Sequence, residues 1–168
     1  SEKLRPRLGG RAQQRVTKRY TENTEAYDLY LKGRYYSLNS WTAEGFKRGI
    51  EHLNRAVTLD PTYALAYSGL AATYYDASNV YFEPSEAMPK AKAAAEKALQ
   101  LDETLAEAHT ALAYARWLAD LDWSAAEREF KRALDLKSSY VPAHQWYAEY
   151  LAALGRHDEA FTAIKRAQ

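Results

Sequence analysis

The chain has 168 residues, 47% of them hydrophobic and 27% charged, with a net charge of +1, a balance that suits one folded domain with a sizeable core. It has no cysteine, which excludes disulfide staples, thiolate metal sites and a cysteine nucleophile, and it has no apolar run of the roughly 18 residues that a membrane span needs. The charge is unevenly spread: residues 1–20 hold seven Lys and Arg against Glu2 alone and carry +6, which leaves −5 on the remainder.

Residues 1–22 read as a basic helical arm or linker that follows a preceding domain. The chain opens on Ser1-Glu2-Lys3-Leu4-Arg5, without a Met and without the apolar stretch of a signal peptide, so it is expected to be a piece of a longer, cytoplasmic protein. Nucleic-acid contact through the arm is the alternative, and an unfavoured one.

Beyond the arm three phrases rhyme. Ala56-Val57-Thr58-Leu59-Asp60-Pro61, Ala98-Leu99-Gln100-Leu101-Asp102-Glu103 and Ala133-Leu134-Asp135-Leu136-Lys137-Ser138 each close an apolar-periodic segment, and their spacing shortens from 42 residues to 35 and then 34 up to Ala167. A period of 34 with two helices per unit predicts a helical solenoid, here of four hairpins at approximately 24–63, 64–105, 106–140 and 141–168. In the second hairpin Ser85 is the expected N-cap of a helix with Pro89 in its first turn. In the third, Asp122-Trp123-Ser124 opens a helix, and Asp60-Pro61 ends one in the first. In the fourth, Gly155 supplies the left-handed residue that ends a helix and Asp158 favours the dipole of the next. There His144, Tyr147, Ala148 and Leu151, then Ala160, Phe161, Ile164 and Ala167, predict two buried stripes.

These units resemble the tetratricopeptide repeat (TPR), which implies an all-α right-handed superhelix of antiparallel helix pairs. The small eighth position of the pattern falls on Ala148, Ala113 and Ala71, and the alanine of the second helix on Ala160, Ala126 and Ala91. The first repeat fits least well. It offers Tyr27 and Tyr30, places Leu31 at the small position and Arg34 where Tyr is usual, then continues with Gly49, Leu53, Ala56 and Pro61. About six extra residues around Ser37–Thr42 and about eight at Ala77–Pro84 lengthen the first and second units, and these insertions carry Trp41, Tyr81 and Phe82. Both map to one face of a solenoid, so they are expected to lie near each other. Three stretches are further similar to the repeat region of bacterial multidomain regulators of the Ser/Thr kinase, adenylate cyclase or winged-helix type: Thr17–Tyr27, Glu86–Ala93, and Ala143–Ala148 with Gly155–Ala160. That resemblance implies signalling or transcription regulation by domains outside this chain.

Chemistry within the chain is not expected. There is no Gly-Lys-Ser/Thr phosphate loop, and Glu127 and Glu129 at i, i+2 face apart. His109 and His144 sit 35 residues apart at one repeat position, which argues for packing over a zinc site, while His52 and His157 are expected to face solvent. No enzyme activity, catalytic residue, metal or cofactor is expected.

A surface remains. The resemblance implies that the first helix of each pair lines a concave groove, formed here by Asp28, Lys32, Tyr35 and Tyr36, by Ser68, Tyr75 and Asp76, by Thr110, Tyr114 and Trp117, and by Gln145 and Glu149. Such a groove is aromatic with acidic edges and lacks the Lys/Asn set that grips a C-terminal carboxylate. The expected partner is a protein or peptide with apolar and basic side chains. Packing of Tyr35, Tyr75 and Trp117 between hairpins is the competing reading. Self-association through an uncapped last repeat is the other alternative, with that face expected to be covered by a neighbour chain, by residues 1–20 or by a crystal contact.

Overall fold

The computed structural model describes residues 20–166, which form eight α-helices and no strand. They are α1 (Thr24–Asn39), α2 (Ala43–Leu59), α3 (Ala64–Ser78), α4 (Pro84–Leu101), α5 (Ala106–Leu118), α6 (Trp123–Leu136), α7 (Val141–Ala153) and α8 (His157–Lys165). The basic arm through Arg19, and Ala167 and Gln168, fall outside the described residues. No described helix is long and apolar enough to cross a membrane.

Each odd-numbered helix packs on the even-numbered one that follows, and the odd helices also pack on one another, α1 on α3, α3 on α5 and α5 on α7. The odd helices therefore make an inner layer and the even helices an outer one.

Helix starts follow side-chain chemistry. Asn23 accepts from the Ala26 amide, Thr42 from that of Gly45 and Asp122 from that of Ala125, each at 2.9–3.0 Å, satisfying amides that have no partner within their helix. Helix ends repeat one device. Asp60 accepts from the amide and hydroxyl of Thr62, and Asp102 does the same for Thr104, with hydroxyl distances of 2.7 Å in both. These Asx turns explain the rhyming Leu-Asp phrases. The third phrase has Lys137 instead, and its ammonium reaches Glu107 at 2.7 Å. Gly155 takes φ +75, as the left-handed helix end requires.

The start of α4 differs from expectation. Glu83 holds the cap position, Pro84 opens the helix and Pro89 lies inside it, because Pro84 needs no N–H at the first turn. The extra residues of the first two units are mostly helix as well. The helices α1 to α4 run 15 to 18 residues against 13 or 14 for α5 to α7, leaving short loops at 40–42 and 79–83.

The register of the first hairpin also departs from the repeat pattern. Leu31 and Tyr27 are 45% and 49% exposed, and α1 meets α2 two residues later, at Gly33. A Cβ on Gly33 would lie 2.5 Å from Leu53 Cγ, and one on Gly49 2.6 Å from Ser37 Oγ, so only glycine allows this approach.

At the other end the core is aromatic. Tyr75, Tyr114, Trp117, Phe130, Tyr147 and Tyr150 are buried together, with ring centroids 3.8 to 5.9 Å apart along the series. Each such pair adds about 0.5–1.5 kcal/mol beyond the area it buries. The last helix, α8, packs Ala160 and Ala163 against this core, and ion pairs form at its start. Arg156 bonds Glu127 at 2.9 Å and Glu159 at 2.6 Å, Tyr147 donates to Glu127 at 3.1 Å, and the Arg156 bond holds the Glu127 carboxyl down at about 2. Only Ala163 of α8 is fully buried, and Phe161 and Ile164, expected in a buried stripe, are 60% and 37% exposed. No described helix packs on the outer side of α8.

Candidate partner-binding cleft

The inner layer curls so far that the first and last hairpins share a cleft. Leu38 and Trp41 of the first hairpin and Pro142, Trp146, Ala160, Phe161 and Ile164 of the last line it, around a volume of about 690 Å³. Four of the apolar lining side chains are exposed: Leu38 and Trp41 at 56% each, Phe161 at 60% and Ile164 at 37%. Trp146 sits on rings from two other hairpins, 4.5 Å from Tyr75 and 5.1 Å from Tyr114.

Trp41 is positioned by both inserted segments. The Tyr81 hydroxyl donates to the Trp41 carbonyl at 2.9 Å, and Phe46 lies between the two rings, 5.7 Å from Trp41 and 6.1 Å from Tyr81. The insertions of the first and second units are therefore neighbours.

The polar lining is acidic. Asp76, near the end of α3, and Glu149, on α7, both face the cleft. Burial pushes the Asp76 carboxyl up to about 7, with Arg34 pulling it down and Glu149 pushing it further up. Glu149 accepts from the Tyr114 hydroxyl at 2.9 Å and forms no ion pair among the described residues.

No family model and no curated protein sequence matches this chain. Solved structures do. The chain superposes on TTC0263, a thermophilic TPR protein of Thermus thermophilus, with TM-score 0.69 and 21% identity over 87% of this chain and 74% of that one. The first TPR of Spaghetti (RPAP3) bound to the HSP90 peptide SRMEEVD gives 0.59 and 17% over 82% and 99%, and MamA gives 0.57 and 20% over 94% and 81%. The fold is that of a tetratricopeptide repeat array.

Against that fold the residues assigned to the groove divide into two sets. Asp28, Lys32 and Tyr35 on α1 and Gln145 and Glu149 on α7 are exposed, and Asp76 is partly so. Tyr36 is half-buried because its ring stacks on His52 at 5.5 Å, which also takes His52 out of the solvent-facing position expected of it. Ser68, Tyr75, Thr110, Tyr114 and Trp117 are buried, so the structure corrects their placement on the surface. The hydroxyls of Ser68 and Thr110 are spent on the carbonyls of Leu65 and Ala106, and the three rings fill the space between the TPR hairpins. Of the insertion residues, Trp41 and Tyr81 are exposed and Phe82 is partly buried.

Leu38, Trp146 and Phe161 line the cleft without having been assigned to it. Their placement depends on the curl that brings α7 and α8 over α1, which no repeat position encodes. The two equivalent histidines share one structural role. His109 Nε2 lies 3.0 Å from the Glu103 carbonyl and His144 Nε2 2.8 Å from that of Ser138, each six residues back, where TPR sequences usually have proline. His109 also bonds Glu129 at 2.6 Å, which lowers the pKa of that carboxyl, while Glu127 points instead to Lys131 and Arg156. Among the described residues no group of three His, Asp or Glu is placed to hold a metal ion.

Proposed function

We propose that this chain is a non-catalytic interaction scaffold that takes a peptide segment of a partner protein into the cleft between its first and last hairpins. The observation that carries the reading is the cleft itself: Trp41 and Phe161, both exposed, line it together with Trp146, whose ring packs on Tyr75 and Tyr114. Exposed aromatics on a rigid base bury large area at small entropic cost, the usual make-up of a binding hot spot. The RPAP3 repeat domain, similar in fold, is bound to a peptide. The acidic lining here suits a partner with basic and apolar side chains.

We place the scaffold in a cytoplasmic bacterial regulator, where effector domains lie elsewhere in the protein. The regulator-like stretches Glu86–Ala93 and Gly155–Ala160 support that setting, and the reading frame upstream of Ser1 tests it. For the scaffold, peptide-display panning on the whole chain is the test. It should enrich sequences whose binding is lost in a Trp41→Ala/Phe161→Ala variant with unchanged helical circular dichroism. Enrichment indifferent to that variant would overturn the reading.

A second reading, self-association, is favoured by the exposure of Phe161 and Ile164 on α8, where a second copy would cover the same cleft residues. It predicts a mass by light scattering that rises with concentration and returns to the monomer value in Phe161→Asp.

A further inference from the structure

We propose that the cleft selects a partner peptide presenting a basic side chain between apolar ones, with the cation seated against Asp76 and Glu149 and its neighbours against Trp41, Trp146 and Phe161. The proposal rests on the scaffold reading above and names the chemistry of its ligand.

Charge complementarity commits the occupant. Two carboxylates face one cleft, and the cation near them, Arg34, lies on the α1 side, where its Cδ would meet a Cβ on Gly69 at 3.3 Å. Among the described residues Glu149 accepts from the Tyr114 hydroxyl and forms no ion pair. Asp76 and Glu149 are the charged residues that line the cleft, and among the described residues no Lys or Arg lines it, so a cation on the ligand complements it. An acidic peptide would set like charges against Glu149 at a desolvating surface, which is the stronger discrimination.

The walls agree. Aromatic faces attract cations, and a Lys or Arg stem covers apolar surface while its head reaches a carboxylate. The chain shows this pairing at the cleft itself, where Lys165 Nζ stands 4.4 Å over the Phe161 ring and a ligand cation would have to displace it there or seat at the carboxylates instead. Seating a cation beside Asp76 favours its ionised form, so binding should release a proton near neutral pH. The groups that bear on Asp76 are Arg34 from α1, Tyr75 from α3, Tyr140 before α7, and Glu149 from α7.

The test uses the whole ¹⁵N-labelled chain and follows its four tryptophan indole N–H signals. The probe is the amidated heptapeptide Ala-Leu-Arg-Leu-Leu-Arg-Ala and its citrulline counterpart, which keeps the shape of arginine and loses its charge. The arginine peptide should shift Trp41 and Trp146 and leave Trp123 in place, with a Kd at least tenfold tighter than the citrulline peptide. Glu149→Arg should abolish binding and transfer it to the peptide in which both arginines are glutamate. Binding should tighten several-fold from pH 6 to pH 8, and this slope should vanish in Asp76→Asn.

Equal affinity for the citrulline peptide, or no reversal in Glu149→Arg, would overturn the proposal. A shift of Trp41 and Trp146 on dilution alone would make the occupant a second copy, and one on removal of residues 1–19 would make it the chain's own arm; either overturns a partner peptide. If panning yields cleft-dependent peptides without basic residues, this inference falls and the scaffold stands. If nothing depends on the cleft, both fall.

Discussion

In the first hairpin α1 and α2 approach through Gly33, Gly49 and Ser37, whereas α5, α6 and α7 are held apart and locked by Tyr114, Trp117, Phe130, Tyr147 and Tyr150. Both arrangements close a TPR helix pair, and they respond to change in opposite ways. A backbone contact has no room for added atoms. A ring cluster has no tolerance for their loss, since the gap left by a missing ring cannot close without moving three helices. The outward faces differ too, because α1 leaves Tyr27, Leu31 and Tyr35 in solvent while α5 exposes little that is apolar besides Leu118.

The largest expected effect is on the ring side. Tyr150 is 1% exposed, touches Trp117, Trp123, Phe130 and Tyr147, and donates to the Trp123 carbonyl at 2.9 Å. Its replacement by Ala should cost about 3–5 kcal/mol in urea unfolding, while Tyr35→Ala, at a ring 64% exposed, should stay within about 0.5 kcal/mol. Similar costs for the two would erase the contrast between the hairpins.

Next in size is Gly33→Ala. The added carbon meets Leu53 Cγ at 2.5 Å, near the base of that side chain, and overpacking of this kind costs about 1–3 kcal/mol even though alanine is the better helix former. A stabilised Gly33→Ala protein would show that α1 and α2 can separate freely.

A smaller effect comes from Asp76. Its carboxyl is raised from 3.8 to about 7, chiefly by burial, so the folded state holds the proton more tightly than the unfolded chain. That contribution is full below about pH 4 and is lost as pH rises through 7. Asp76→Asn should therefore be more stable than the parent at pH 8 and indistinguishable from it at pH 3.5, measured by thermal unfolding. A parent stability flat between pH 5 and 8 would remove Asp76 from the account.

The smallest is Tyr81→Phe, which deletes the bond to the Trp41 carbonyl at an exposed site and should cost about 0.5 kcal/mol. Its clearer mark is local, a change in the Trp41 indole signal with the Trp117, Trp123 and Trp146 signals unmoved.

The fold was largely legible because a 34-residue rhyme with alanine at fixed offsets admits few architectures, and the Asx turns at Asp60 and Asp102 write that rhyme in hydrogen bonds. The first hairpin was less so. Counting from the repeat pattern put Leu31 at a close contact that glycine makes two residues later, since repeat numbering carried over from the other units does not follow a shift in helix register. The groove list failed at Tyr75, Tyr114 and Trp117 for a related reason: large rings at inward positions fill the curl instead of lining it. The inserts were readable as aromatic and as neighbours, but their conversion into extra helical turns depended on Pro84 opening α4 earlier than Ser85 suggested.

The contact between Tyr75 and Trp146 reaches from the second hairpin to the fourth, past the one between them. In a linear stack each unit answers only to its neighbours, and the ends can fray or be trimmed one unit at a time. A ring from α3 against a ring from α7 couples distant units, so this array is expected to melt as one body, and adding or removing a repeat in its middle is expected to unmake the ring cluster beneath the cleft.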